Sequence, residues 1–366
     1  MKITIAQRLH PFSHLPGAAC LLPKSHWQVE VFPALLRFSS LANASEQIDL
    51  KLSIPGPMDG FTAEMDLERG VILVFGMTAQ GYLRYQIQRH PDGISLVFEK
   101  LPKGGITCFY VQKGICYEMK EKQALLLPVA KESSLPSVPQ ERLSLGMHKA
   151  QDWDLICRRK DLKEVFPLWL RLGQMTPNML QEIPSMGTFR LLLDCKEAIE
   201  KKETLRVIPL FEQLFQTAFS GICVPRLFDE KHQGILPDDS VPTTLSPLAI
   251  LTLGSQLIRS LFFQETEGGL KILPFLPSAF AAGRFVDIIT EKGEKISFEW
   301  AKHRLNKMVL HTAAARSVVL ELPKQTRSLR LRTARTEKGK VIAVNDGYAE
   351  LALKANQVLF LDRFER

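Results

Sequence analysis

Acidic side chains cluster in one polar stretch of the sequence, residues 227–240. They are Asp229, Glu230, Asp238 and Asp239. Two carboxyl groups about 6.5–9.5 Å apart can act as a pair, one protonating a leaving oxygen while the other activates water. Long loops inside helical domains are often functional, so these four residues are candidate catalytic groups. The alternative is a solvated surface loop in which Asp239 caps a helix.

A second polar group surrounds the predicted start of a helix in residues 145–159. Its side chains are His148, Asp152, Trp153, Asp154 and Arg158. A tryptophan ring can stack on the apolar face of a sugar while neighbouring polar groups bind the hydroxyls. We therefore treat these five residues as candidate ligand-binding groups. In the alternative interpretation, Asp152 caps the helix, Trp153 packs into the core and Arg158 forms surface ion pairs.

Several other site chemistries have no signature in the sequence. His10 and His14 are four residues apart, but Pro11 interrupts the helix that would place them on one face, so no metal site is expected. There is no glycine-rich phosphate loop followed by a helix and no Gly-x-Ser-x-Gly motif, so no cofactor is expected. A catalytic triad assembled from distant residues stays open.

Residues 324–340 hold seven basic residues and one acidic residue. Arg330 and Arg332 are predicted to share a strand face, where they could contact the phosphates of a polyanion. The segment has no aromatic residue to stack on bases. A solvated sheet face is therefore the favoured interpretation, and a nucleic-acid partner is not expected. The net charge of +8 permits acidic partners without requiring them.

The length and composition predict a soluble protein of two or three domains. The chain has 366 residues, of which 45% are hydrophobic, enough for substantial cores. No run of 18 apolar residues occurs, and the first ten residues lack the apolar centre of a signal peptide, so a cytoplasmic location without membrane contact is expected. The six cysteines form no Cys-x-x-Cys pair and are expected to be buried thiols, with a cross-strand disulfide between Cys108 and Cys116 as the alternative.

Residues 1–127 predict an antiparallel β-sandwich. Short alternating runs are separated by Pro-Gly, Asp-Gly and Gly-Gly dipeptides. The His90-Pro-Asp-Gly93 turn is predicted to join two paired strands. The predicted strands are residues 28–32, 47–54, 70–75, 82–88, 93–99 and 107–111.

Residues 128–140 are rich in proline and serine and are predicted to be a linker. Over residues 141–269 the hydrophobic residues recur with the period of α-helices, which predicts a helical domain. Residues 152–172 predict a helix in which Pro167 is a candidate break. Further helices are predicted over 195–219 and up to Gln264, with shorter turns near 178–183. The total is four or five helices.

Residues 270–366 predict a second β-sandwich. In residues 295–300, Ile296, Phe298 and Trp300 share one face, as in a half-buried strand. Asn345-Asp-Gly347 predicts a hairpin turn. The predicted fold class is thus multidomain α+β, with an N-terminal β-sandwich, a small helical middle domain and a C-terminal β-sandwich.

The order of pieces between residues 248 and 323 resembles the end of the inverting glycoside hydrolases and phosphorylases with an (α/α)6 barrel, families 95 and 65. The matching residues are Gln264, Gly268, Leu270, Ile272, Leu273, Pro274, Leu276, Pro277, Gly283, Phe298 and Trp300. All of them belong to the scaffold. A complete barrel needs twelve helices, and the helical segment here is too short for them, so no catalytic residue is carried over.

Three functions follow as hypotheses. The first is a non-catalytic relative of these enzymes that binds an oligosaccharide. The second is an active inverting glycosidase or phosphorylase with a reduced site. The third is a protein-interaction scaffold or effector with no role in sugar binding. Two facing carboxylates in a pocket would favour the enzyme, and an aromatic platform without them would favour binding.

Overall fold

The computed structural model describes residues 2–43, 45–129, 136–178, 183–229, 232, 234, 245–334 and 336–365. Strands occupy the described residues before 145 and after 262, and five α-helices lie between them. The predicted order of a strand-rich, a helical and a second strand-rich region is therefore confirmed. Within the described residues, no helix is long and apolar enough to cross a membrane.

The N-terminal strands form two antiparallel sheets. They are β1 (Phe12–Ser13), β2 (Ala18–Leu21), β3 (Trp27–Phe32), β4 (Leu35–Ser40), β5 (Gln47–Leu52), β6 (Asp59–Asp66), β7 (Val71–Thr78), β8 (Gly81–His90), β9 (Gly93–Lys100), β10 (Ile106–Tyr110), β11 (Ile115–Met119) and β12 (Ala124–Pro128). Sheet I has the order β1-β6-β7-β8-β9-β12, and sheet II has the order β11-β10-β5-β4-β3-β2. The predicted turn at His90-Pro-Asp-Gly93 joins β8 to β9, with His90 opposite Gly93.

The helical region follows one short strand, β13 (Arg142–Ser144). The helices are α1 (Trp153–Arg159), α2 (Leu162–Met175), α3 (Gly187–Glu200), α4 (Thr204–Ala218) and α5 (Leu248–Phe262). The first predicted helix is divided at Lys160, which has a left-handed backbone with φ of 54°. Asp161 then caps α2 by accepting a hydrogen bond from the Lys163 amide. Helix α2 continues through Pro167, so the break lies at the cap and not at the proline.

The C-terminal strands form two further sheets. They are β14 (Phe263–Thr266), β15 (Gly269–Ile272), β16 (Gly283–Ile289), β17 (Lys295–Ala301), β18 (Arg304–His311), β19 (Arg316–Glu321), β20 (Ser328–Arg332), β21 (Lys340–Ala343), β22 (Tyr348–Leu353) and β23 (Val358–Glu365). Sheet III has the order β13-β16-β17-β18-β23-β20-β21, and sheet IV has the order β14-β15-β19-β22. Only β15 and β19 pair in parallel among these described strands.

Two sequence predictions in this region differ from the structure in detail. Gln264 lies in β14 rather than at the end of a helix, because α5 ends at Phe262 and the chain turns back through Gly269 to pair β14 with β15. The Asn345-Asp-Gly347 segment is a tight turn with reciprocal hydrogen bonds between Asn345 and Tyr348. Its flanking strands, however, enter different sheets, so the turn does not close a hairpin.

Glycine allows α2 and α5 to pack closely. A Cβ atom on Gly173 would lie 2.4 Å from the Leu251 carbonyl oxygen, and a Cβ on Gly254 would lie 2.3 Å from the Trp169 ring. The Trp169 Nε1–H also donates to the Leu251 carbonyl at 3.3 Å. This contact is the centre of the helical region and fixes the two helices against each other.

The extended N-terminal segment lies against the C-terminal sheet. Ile3 packs with Val286 and Val309, and Arg284 donates to the Thr4 carbonyl at 3.1 Å. In addition, β13 pairs with β16 of sheet III, although it precedes the helices in sequence. The first residues of the chain and the strand that follows the linker are therefore both built onto sheet III.

Candidate ligand-binding cleft

A cleft of about 510 Å³ opens between sheet II and the helical region. One wall is the turn between β1 and β2 together with β3, and the other is α1, the end of α4 and the loop that follows it. The cleft is lined among others by Gly17, Ala19, Glu30, Trp153, Asp154, Cys157, Lys160, Phe215, Gln216, Phe219 and Arg226. The cleft therefore combines aromatic rings with carboxylate, amide and cationic groups.

The first wall is held by backbone contacts that require glycine. Gly17 has φ of 83°, and a Cβ there would lie 2.6 Å from the Phe32 ring. Its amide donates to the Val31 carbonyl at 2.8 Å. At the base of the cleft, the Ile222 amide donates to the Ala19 carbonyl at 2.8 Å. The loop after α4 thus continues the hydrogen bonding of sheet II at its β2 edge.

The second wall is organised by the start of α1. The Asp152 side chain caps the helix, accepting hydrogen bonds from the amides of Asp154 at 3.0 Å and Leu155 at 3.2 Å. Trp153 is buried and makes edge-to-face contacts with Phe215 and Phe219, with centroids 5.9 and 6.4 Å apart. Trp153 thus packs into the core, as in the alternative interpretation, and offers no open ring face for stacking on a sugar. It fixes the helix start, and the next residue, Asp154, is thereby placed on the cleft wall.

Asp154 is a half-buried acidic residue of the cleft wall. Within the described part of the chain, its carboxylate makes no hydrogen bond or ion pair. Glu30, on the opposite wall, lies 3.6 Å from Arg37, whose guanidinium is closer to Asp49 at 3.1 Å. Both carboxylates can therefore accept hydrogen bonds from a bound molecule.

The cationic groups of the cleft already have partners. Lys160 donates to the Gln216 side chain at 2.8 Å. Arg226 is buried, donates to the Thr217 carbonyl at 2.8 Å and lies 3.7 Å from Asp229. The two cations therefore serve mainly to position the wall, while the Gln216 amide group keeps donor hydrogens for a ligand.

Cys157 lies on the same wall as Asp154. Although the residue is exposed at the surface of α1, desolvation of its thiol by the surrounding wall raises the pKa to about 11, and the negative charge of Asp154 adds to this effect. The thiol is therefore protonated near neutral pH and is a poor nucleophile. Nucleophilic cysteine chemistry is not a role that this cleft favours.

The predicted site residues occupy four different places. Trp153 and Asp154 line the cleft and Asp152 caps the helix that carries them, whereas Arg158 is exposed on α1 and does not line it. His148 lines a separate groove of about 350 Å³ beside β16 and β17. Asp229 is buried next to Arg226. Glu230, Asp238 and Asp239 lie outside the described residues.

The sequence did not indicate the opposite wall of the cleft. Glu30 alternates with buried neighbours on β3 and looks like an ordinary outward-facing strand residue. Gln216 sits near the end of α4 with no adjacent motif. Only Gly17, a glycine before a short strand, was a local signal for a close backbone approach. Contacts between residues more than a hundred positions apart leave no trace in a single sequence.

The basic segment is partly neutralised within the fold. Arg330 makes a two-point contact with Asp362, at 2.8 and 3.1 Å, and Arg332 also pairs with Asp362. The two arginines share a face, as expected, but that face carries its own acidic partner.

No group of three or more His, Cys, Asp or Glu side chains suited to a metal ion occurs among the residues that the structure describes.

A comparison with protein-family models found no match, and a comparison with curated proteins found no significant match.

Proposed function

We propose that this chain binds an oligosaccharide in the cleft between sheet II and the helical region, without hydrolysing it. The observation that carries the proposal is the Asp154 carboxylate, which lines the cleft and has no partner among the described residues. Carboxylates accept hydrogen bonds from sugar hydroxyls.

The size and polarity of the cleft support a saccharide ligand. Small-molecule sites usually enclose about 300–1,000 Å³ and place a few polar groups on mainly apolar walls. This cleft has about 510 Å³. Asp154 and Glu30 supply acceptors, and Gln216 supplies donors, so a ligand rich in hydroxyl groups can satisfy both walls at once.

The proposed architecture agrees with a carbohydrate role. We propose that sheets I and II pack as one β-sandwich and sheets III and IV as a second, because apolar residues of all four sheets belong to one buried core. The resemblance of residues 264–300 to the end of (α/α)6 glycoside hydrolases and phosphorylases adds a further argument. We also propose a cytoplasmic location for the protein, as expected from its sequence.

A glycan array with the full chain tests the proposal. We expect binding to a defined set of oligosaccharides, loss of that binding in the Asp154→Asn variant, and no change in Arg158→Gln. Arg158 is a matched control because it lies on the same helix but not in the cleft. Failure to bind any glycan, with the protein folded, contradicts the proposal.

Hydrolysis is the second candidate, because Glu30 and Asp154 line opposite walls of one cleft. Inverting glycosidases use two carboxyl groups in this way. A hydrolysis screen run on the array ligands separates the two functions. Product formation that Glu30→Gln and Asp154→Asn each abolish would establish the enzyme, whereas binding without product supports the first proposal.

A further inference from the structure

The groove that His148 lines has a volume of about 350 Å³ and lies against sheet III. Its apolar lining includes Ile5 and Ala6 of the N-terminal segment and Ala282, the residue before β16. It shares no lining residue with the cleft between sheet II and the helical region. Its volume is within the range of small-molecule sites. The groove is therefore a separate candidate site.

A row of charged side chains crosses one face of sheet III and ends at this groove. Arg284 on β16 is opposite Glu299 on β17, and Glu299 is opposite Lys307 on β18. Lys307 is opposite Asp362 on β23, which is opposite Arg330 on β20. Residues directly opposite each other on antiparallel strands carry their side chains on the same face. The row therefore alternates between positive and negative charge, with Arg284 at its groove end.

Arg284 makes a longer ion pair than the other cations of this row. Lys307 lies 2.6 Å from Glu299, whereas Arg284 lies 3.7 Å from the same carboxylate. Arg284 donates to the Thr4 carbonyl at 3.1 Å, and most of its other N–H groups have no hydrogen bond to the residues that the structure describes. Its side chain is 53% exposed. An anion in the groove would pair with Arg284 and continue the alternation of charge.

Ser144 is the neighbour of Arg284 on the adjacent strand and also lines the groove. The two residues are opposite each other where β13 pairs with β16, so their side chains share a face. Ser144 is only 7% exposed, and its hydroxyl makes no hydrogen bond within the described part of the chain. A buried polar group without a partner costs free energy. A ligand that accepts a hydrogen bond from Ser144 would remove this cost.

We propose that this groove binds a small organic carboxylate, with its charged group between Arg284 and Ser144 and its apolar part against the N-terminal segment. A planar carboxylate accepts two parallel hydrogen bonds from an arginine and has lone pairs left for a hydroxyl. His148 supplies a further polar group for the charged end. Inorganic phosphate would satisfy the donors but would leave the apolar lining uncovered, so the groove favours a carboxylate with a hydrocarbon body.

The first test is calorimetric titration of the full chain with hexanoate, benzoate, hexanamide and inorganic phosphate. We expect saturable binding of at least one carboxylate. Hexanamide keeps the apolar part and lacks the charge, so it should bind at least about tenfold more weakly than hexanoate. Phosphate should also bind more weakly, since it has no apolar part. No saturable binding of either carboxylate, or equal binding of phosphate, overturns the proposal.

The second test uses variants of the full chain, each first shown to be folded by urea unfolding. Arg284→Gln should weaken carboxylate binding about tenfold or more, and the conservative Ser144→Ala about threefold or more. Lys302→Gln is the matched control, because Lys302 is exposed on the turn between β17 and β18 and does not line the groove. It should leave the affinity unchanged. Unchanged affinity in Ser144→Ala, or the same loss in Lys302→Gln as in Arg284→Gln, overturns the assignment to this groove.

Discussion

At the scale of single residues, His10 is the clearest titrating group. Its Nδ1 lies 2.9 Å from Glu64, and its Nε2 lies 3.3 Å from Asp66. The hydrogen bond with Glu64 raises the pKa of His10, burial opposes the rise, and the charges of Asp66 and Glu68 add to it. The folded state therefore binds the proton more tightly than the unfolded state, and protonation of His10 stabilises the fold.

This linkage gives a pH prediction. The stabilisation is fully present below about pH 6.5, the ordinary pKa of histidine, and is lost as the pH rises through the raised pKa of the folded state. We expect protonation of His10 to add about 1 kcal/mol to the free energy of unfolding. This is less than for a fully buried ion pair, because the His10 side chain is 26% exposed. Urea unfolding across this range should show the loss in the natural chain and not in His10→Gln. An identical pH dependence in both would contradict this assignment.

At the scale of elements, the contact between α2 and α5 depends on Gly254. Its replacement by alanine would place a Cβ 2.3 Å from the Trp169 ring. We expect Gly254→Ala to lower the free energy of unfolding by about 1–3 kcal/mol, because an overpacked core must shift. Gly268→Ala is the control, since its Cβ would lie 3.9 Å from the nearest atom. Equal stabilities of the two variants in urea unfolding would refute the close packing.

The elements also show what the sequence could and could not predict. The alternation of apolar and polar residues in β17 and the turn residues at His90–Gly93 are local signals. The structure has the strand and the turn where they were predicted. Pro167 looked like a break, but packing keeps α2 continuous through it, and the cap at Asp161 sets the boundary instead. Near the cleft, the cap at Asp152 was a local signal, whereas the opposing Glu30 was not, because tertiary packing alone brings it there.

At the scale of the whole molecule, the three regions share one buried core. Glu68 links them: it lies 2.8 Å from Arg142 on β13 and 3.5 Å from Arg171 on α2. Arg171 is buried and also donates to the Leu67 carbonyl at 3.3 Å. Losing one region would therefore expose apolar surface and leave buried charges of another without partners.

We accordingly expect the chain to unfold as one cooperative unit. In hydrogen exchange followed by mass spectrometry, the most protected peptides from β7, α2 and β17 should open with free energies that agree within about 1 kcal/mol. Glu68→Gln should lower all three together. Independent opening of the C-terminal sheets at a clearly lower free energy would show that the shared core does not couple the regions.

The central claim is that the cleft beside Asp154 binds a saccharide. The most direct measurement is isothermal titration calorimetry of the natural chain, Asp154→Asn and Arg158→Gln with the strongest oligosaccharide from the array. We predict an affinity loss of about tenfold or more in Asp154→Asn, because a hydrogen bond to a charged acceptor contributes roughly 1.5–3 kcal/mol, and unchanged affinity in Arg158→Gln. Equal affinity of all three proteins would contradict the assignment of the ligand to this cleft.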